Sequence, residues 1–334
     1  MKIKYKAGLL LFPIAALFFS LSWGRYFISF FEMLKILIPI NGTYSSAAYN
    51  VFINIRLPRT LFVFISGGVL ALSGTSLQSL FRNPLVSPDI IGVSSGASLG
   101  AGLAIVVFHA NPFVIQMSAF AGGIIAVFFV LQISAIGGVH SLIRLILSGI
   151  IVNAAASSFV SIIKYTADPM NDLPSLEFWL MGCFNIITWR NFIVFLPIVC
   201  VAGGFIFLFR KQLNILSLGD EEAAGLGVSV KKMRLLFIGS STLLVAAVVS
   251  AAGIISWIGL IAPHIVRLLF GNNNNRLVPL SFICGASLLL VADTFARSVT
   301  GGEIPISIIT ALIGAAGLGW FMLNTKRFGY EYGF

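Results

Sequence analysis

Leu218 to Val228 reads LGDEEAAGLGV. Three consecutive carboxylates stand here in a chain with only 11 acidic residues among 334, and long apolar runs lie on both sides. Gly219 permits a sharp turn. Asp220, Glu221 and Glu222 then sit where a helix would begin, next to the free amides and the positive end of its dipole. Ala223, Ala224, Gly225 and Gly227, with Leu226 among them, offer a low-relief surface. A solvated loop between membrane spans is one reading. A short helix docking into a groove on a soluble partner is the other, and small side chains that allow close approach favour it.

The flanks decide the fold class. Hydrophobic residues make up 58% of the chain and charged residues 10%, against roughly 25% charged in soluble domains. Mean hydropathy is +1.01. The expectation is an all-α, polytopic membrane protein forming a single transmembrane domain over 1–334. Each span needs about 20 apolar residues, and about ten fit, near 7–28, 57–80, 91–108, 112–136, 142–165, 191–210, 233–256, 258–270, 278–297 and 304–324. The eighth is short.

The start MKIKYK precedes an apolar stretch with no small-residue cleavage site after it. An uncleaved first span with a cytoplasmic amino end is expected. Alternate crossing then puts 14 of the 21 Lys and Arg residues on the inner side, as the positive-inside rule asks. Both termini and the segment 211–232 fall in the cytoplasm. The net charge of +10 is thus accounted for by orientation, and nucleic acid is not an expected partner. Trp179 and Trp189, in the outer connection 166–190 with Asp168, Asp172 and Glu177, mark the outer interface.

No G-x-x-x-x-G-K-[ST] phosphate loop occurs in the chain. His109, His140 and His264 are scattered, and Cys183, Cys200 and Cys284 have neither metal nor disulfide spacing. No Ser/His/Asp set appears, so neither enzymatic activity nor a resident cofactor or metal is expected. Gly92, Gly96 and Gly100 recur four apart, as helix packing requires.

Polar groups inside spans are costly and carry information. Asp293 precedes Arg297 by four residues, and an i,i+4 pair is the simplest account. Glu303 stands at the outer start of the last span, where a helix amino-terminal charge is favourable. Asn153, Ser157 and Ser158 in the fifth span, with Ser94 and Ser95 in the third, either line a polar path or serve helix–helix hydrogen bonding.

Four elements together resemble a known family: RNPL-x-x-PD (82–89), D-E-x-A-x-x-L-G (220–227), G-L-x-x-P-H-x-x-R (259–267) and A-D-x-x-A-R (292–297). The chain is similar over nearly its whole length to FecCD-type permeases of bacterial ABC importers for iron–siderophore, haem and cobalamin. The resemblance implies the type II importer architecture in the cytoplasmic (inner) membrane. It implies a homodimer working with two cytoplasmic ATPases, which use the ATP, and a periplasmic or lipid-anchored binding protein. In that comparison the segment 219–227 matches the element that sits on the ATPase. Arg56, Arg59 and Arg297 match outer-face arginines that meet acidic residues of the binding protein, with snorkelling to lipid headgroups as the competing account. One departure stands out. Gly314, Ala315, Ala316, Gly317 and Leu318 replace the family's Gly-Ala-Pro-Phe-type stretch, and without that proline the last helix is expected to run on.

An ion- or proton-coupled secondary carrier is the competing class. It would want paired midplane acids or broken helices, which are not evident. A non-transporting scaffold fits poorly with polar elements at both faces. Siderophore, haem, cobalamin and a small oxyanion all stay open as cargo.

Overall fold

A computed structural model describes residues 2–24, 26, 28–37, 45–136 and 142–323. Fourteen helices run through them, with no strand among the described residues. They are α1 (Lys2–Ser22), α2 (Phe30–Leu37), α3 (Ser46–Phe81), α4 (Val93–Val107), α5 (Pro112–Ala135), α6 (Leu142–Thr166), α7 (Asp172–Met181), α8 (Trp189–Leu208), α9 (Arg210–Leu216), α10 (Asp220–Gly225), α11 (Val230–Ala252), α12 (Ile258–Phe270), α13 (Asn274–Ala296) and α14 (Ile306–Leu323). His140 lies outside the described residues.

Six helices are long and apolar enough to cross a membrane: α3, α5, α6, α8, α11 and α13. The other four expected spans correspond to shorter apolar helices, Leu11–Ser22, Val93–Val107, Ile258–Phe270 and Ile306–Gly319. At 1.5 Å per residue, the 13 residues of α12 reach about 20 Å, short of the roughly 30 Å hydrocarbon core. The multi-helix membrane architecture therefore stands, and the count of about ten full spans does not follow from it.

The inner helices are α3, α11 and α13, whose spanning windows are 83%, 78% and 67% buried, against 28%, 28% and 22% for α5, α6 and α8. Interior helices apolar on every side and peripheral ones with apolar outer faces are what a bilayer solvent selects. α3 and α13 run antiparallel. Arg59 meets Asp293 at one end, and Ser79 meets Asn274 at the other.

Backbone contact between glycines sets the spacing of α3 against α12 and α13. A Cβ on Gly74 would stand 1.7 Å from the carbonyl oxygen of Gly259, and one on Gly67 would stand 2.3 Å from that of Gly285. Gly96 and Gly100 do the same for α4 against Gly122 and Ser118 of α5, so the spaced glycines pack as expected. Gly92 departs from that set: it is a left-handed cap, at φ +83°, preceding α4.

Two elements differ from expectation, and a third agrees with it. α3 begins at Ser46, eleven residues early, because Asn50 and Asn54 look like loop yet pair along the helix at 3.2 Å. The outer connection contains α7, started by a turn in which the Asp168 carboxylate accepts from the Met170 N–H at 2.9 Å and from Asn171 at 2.6 Å. These bonds hold the Asp168 carboxyl below the usual carboxylate range. α14 runs unbroken through Gly314–Leu318, as the missing proline predicts.

Candidate functional site

Three places carry the polar groups. The first lies at the end of the bundle where α3 begins and α13 ends. Arg59 is buried, and its guanidinium donates to Asp293 at 2.7 Å and to Glu303 at 2.8 Å. Arg297 approaches the other Asp293 oxygen at 3.7 Å and donates to the Ser20 hydroxyl at 3.0 Å. Arg56 donates to the carbonyls of Leu21 at 2.7 Å, Ser22 at 3.1 Å and, in a short contact, Tyr26.

One sequence reading is extended here and one is corrected. The i,i+4 pair of Asp293 with Arg297 exists, but Arg59 is the closer partner of Asp293 and makes bidentate use of it. Glu303 does not serve as an isolated helix-terminus charge: it is the second anion on Arg59. Arg56, Arg59 and Arg297 do share one end of the fold, as grouped from sequence, yet all three are at most 8% exposed. In this conformation their guanidinium groups serve the chain itself, tying α1, α3 and α13 together.

The second place is a cavity of about 460 Å³ between α4 and α6. Its wall includes Ser94, Ser95, Asn153 and Ser157 from the sequence reading, with Ser98, Ser161 and Asp89 added. Asn153, Ser157 and Ser161 are successive turns of one face of α6, which is why the spacing of four groups them. Ser158 is absent from this wall: it lies on an exposed face, its hydroxyl donating back to the Ala154 carbonyl at 2.9 Å. Asp89 was missed as a site residue. Its carboxylate accepts from the Ser94 hydroxyl, and its carbonyl accepts from Asn153 Nδ2 at 3.2 Å. Burial pushes this carboxyl above the ordinary range, and the serine bond opposes that shift. Lys164, paired with Glu177 at 2.9 Å, stands at the rim.

The third place is α10. Asp220, Glu221 and Glu222 form its first turn, as their charge at a helix start implies. Gly219 is favoured by its backbone, at φ +155°, while the nearest atom to a Cβ there is the movable carboxylate of exposed Glu222 at 2.0 Å. Asp220 accepts from Arg234 at 2.7 Å and lies 3.6 Å from Arg82. Ala224, Gly225, Leu226 and Gly227 face outward. Ala223 does not, being fully buried, and it is the anchor of α10, not part of the presented surface.

The described helices thus form a bundle with a cavity walled in part by serines, Asn153 and Asp89, and with a small helix at α10. The FecCD transport family matches residues 10–324. The chain belongs to it. It is 38% identical to the molybdate import system permease MolB of Haemophilus influenzae, over 96% of each chain. It is 37% identical to the hemin transport system permease HmuU of Yersinia pestis, over 86% of this chain and 87% of that one. A solved inward-facing structure assigned to the metal-chelate type of ABC transporter superposes with a TM-score of 0.87 at 38% identity, covering 96% of this chain and 99% of the other. This FecCD-family chain is accordingly a transport subunit and not an enzyme. Among the described residues no group of three or more His, Cys, Asp or Glu could hold a metal ion.

Proposed function

We propose that this chain is the permease of an ATP-driven importer in the bacterial inner membrane. Paired with a second copy of itself, it moves a metal chelate or a small metal-bearing anion handed over by a separate binding protein. Two cytoplasmic ATPases supply the energy. Substrate class enters from the relatives, whose names speak of molybdate and of hemin. The observation that carries the reading is α10: a helix of six residues, held at its start by Asp220–Arg234, anchored by buried Ala223, and presenting Ala224, Gly225 and Leu226 outward. Its outward face has open space at Gly225 and Gly227 and suits a groove on another protein.

A carrier working alone needs acids free to bind and release ions. Buried Asp293 and part-exposed Glu303 are both engaged by Arg59, with Arg297 also close to Asp293, which disfavours that class. Proteoliposomes separate the two. The chain with its co-purifying ATPase and binding protein should take up molybdate or hemin only with ATP inside the ATPase-accessible compartment. Uptake by the chain alone on a sodium or proton gradient would overturn the reading.

A further inference from the structure

At the α10 end of the bundle a cluster of amide and hydroxyl groups links four elements, with Gln78 and Ser79 as neighbours on α3. α9 immediately precedes α10 and is fixed in the core by Leu213 and Leu216. Between them Asn214 points to the start of α13, where its Oδ1 accepts the Asn274 N–H at 2.8 Å. The Asn274 side chain accepts from the Ser79 hydroxyl on α3 at 2.8 Å. Next to it, Gln78 donates to the Val86 carbonyl at 3.2 Å and accepts from Arg267 of α12 at 2.9 Å. Gln78 and Asn274 are each 2% exposed.

Buried amides are expensive unless bonded, and apolar residues would pack this junction at lower risk. What the amides add is direction. Each bond joins a different element, and the last one grips the turn between α3 and α4, where Val86 is itself buried. That turn leads within three residues to Asp89, whose carboxylate and carbonyl hold the cavity wall through Ser94 and Asn153. The ion pair of Asp220 with Arg82, 3.6 Å apart with both side chains more than 40% exposed, is a weaker second link.

We infer that Asn214 and Gln78 are positioning residues for coupling: they pass movement of the α9–α10 unit through Asn274 and Ser79 to the 83–88 turn, and so to the cavity. This rests on the docking role of α10 proposed above. The alternative is that the same bonds only hold the end of the bundle together.

The test uses the permease complexed with its co-purifying ATPase. Cys183, Cys200 and Cys284 are replaced by serine, and a single cysteine is placed at Leu85, which is 63% exposed on the turn. Maleimide labelling of that cysteine is followed with and without ADP–vanadate. The parent should change its labelling rate by about fivefold on nucleotide trapping, within the range that coupling residues modulate. N214A and Q78L should each bring that ratio close to one while ATPase co-purification is unchanged. The double variant should do no more than either alone, as residues in one route require. Asn214 is half-buried, so N214A keeps the test open even where Q78L fails to fold. An unchanged ratio in N214A, or a parent ratio of one, overturns the inference. Failure of any ATPase to co-purify overturns the docking role instead, and is seen before labelling begins.

Discussion

Arg59 and Asp293, 234 residues apart in the sequence, meet at 2.7 Å with Glu303 closing the other side of the guanidinium at 2.8 Å. Removing the cation leaves two carboxylates facing each other in a poorly solvated junction. Breaking a buried pair from one side typically costs about 3–5 kcal/mol. R59A should therefore lower the thermal midpoint of the detergent-solubilised protein strongly. E303Q should do much less, because Glu303 keeps 24% side-chain exposure and Arg59 retains Asp293. A larger shift for E303Q than for R59A would contradict this ranking, and D293N measured beside them completes it.

The glycine contacts give a second, purely steric expectation. At Gly74 the obstacle to a Cβ is backbone, the Gly259 carbonyl at 1.7 Å, and neither helix can yield without opening its neighbours. G74A should cost at least about 3 kcal/mol, the upper end of ordinary overpacking. Gly204, in the last turns of α8, has nothing within 4 Å of its would-be Cβ, so G204A should stabilise by about 0.5–1 kcal/mol through helix propensity. Thermal unfolding of the two variants in one detergent decides the matter.

The sequence reading reached Asn153 and Ser157 of the α6 wall but not Ser161, one further turn along the same face, and it reached α10 because three acids followed by alanines and glycines suit the start of a short helix. It could not carry Arg59. Nothing local to α3 says that an arginine will meet an aspartate on α13, and the nearby Arg297 supplied a sufficient but secondary partner. Ser158 failed for the opposite reason: one residue from Ser157 it points about 100° away. The polar junction of Gln78 and Asn274 left one trace, the run of four asparagines at 272–275 that straddles the start of α13, which marks a helix cap but not what the cap touches. α7 hid inside a polar connection because its start depends on the Asp168 turn and not on an apolar stripe.

That turn yields a pH expectation. Bonds from the Met170 N–H and from Asn171 depress the Asp168 carboxyl. A carboxyl lowered by folding contributes order that is present above the ordinary aspartate value of about 4 and is lost as pH falls through the lower folded value. The Met170 amide should stay protected from exchange down to about pH 4 and lose protection only below it. In D168N the same amide should show weaker protection with no acid transition. Protection lost already near pH 5 would contradict the assignment.

The cavity wall separates by face. N153L would remove the bond to the Asp89 carbonyl and thrust an apolar side chain among Ser94, Ser95 and Ser157, so uptake per ATP hydrolysed should fall by about tenfold or more, roughly 1.4 kcal/mol of lost transport competence. S158L, on the outer face, should leave uptake within about twofold, as surface changes of about 0.5 kcal/mol or less do. Equal loss in both variants would mean that the cavity is not on the transport path.

Ala223 and Ala224 make the sharpest contrast, since one residue separates full burial from exposure. A bulky residue at 223 has no room, because this methyl group is packed in the main core, and A223W should reduce folded protein and thermal stability by about 3 kcal/mol. A bulky residue at 224 has room, since this exposed position borders an open cavity of about 590 Å³. A224W should therefore fold with the parent's thermal midpoint, yet lose co-purification of the ATPase and ATP-dependent uptake together. The variant E221W, also exposed and one turn away, should behave like A224W. Full ATPase association in A224W would show that the exposed face of α10 is not the docking surface, and with it the case for an external motor acting through this helix would fall.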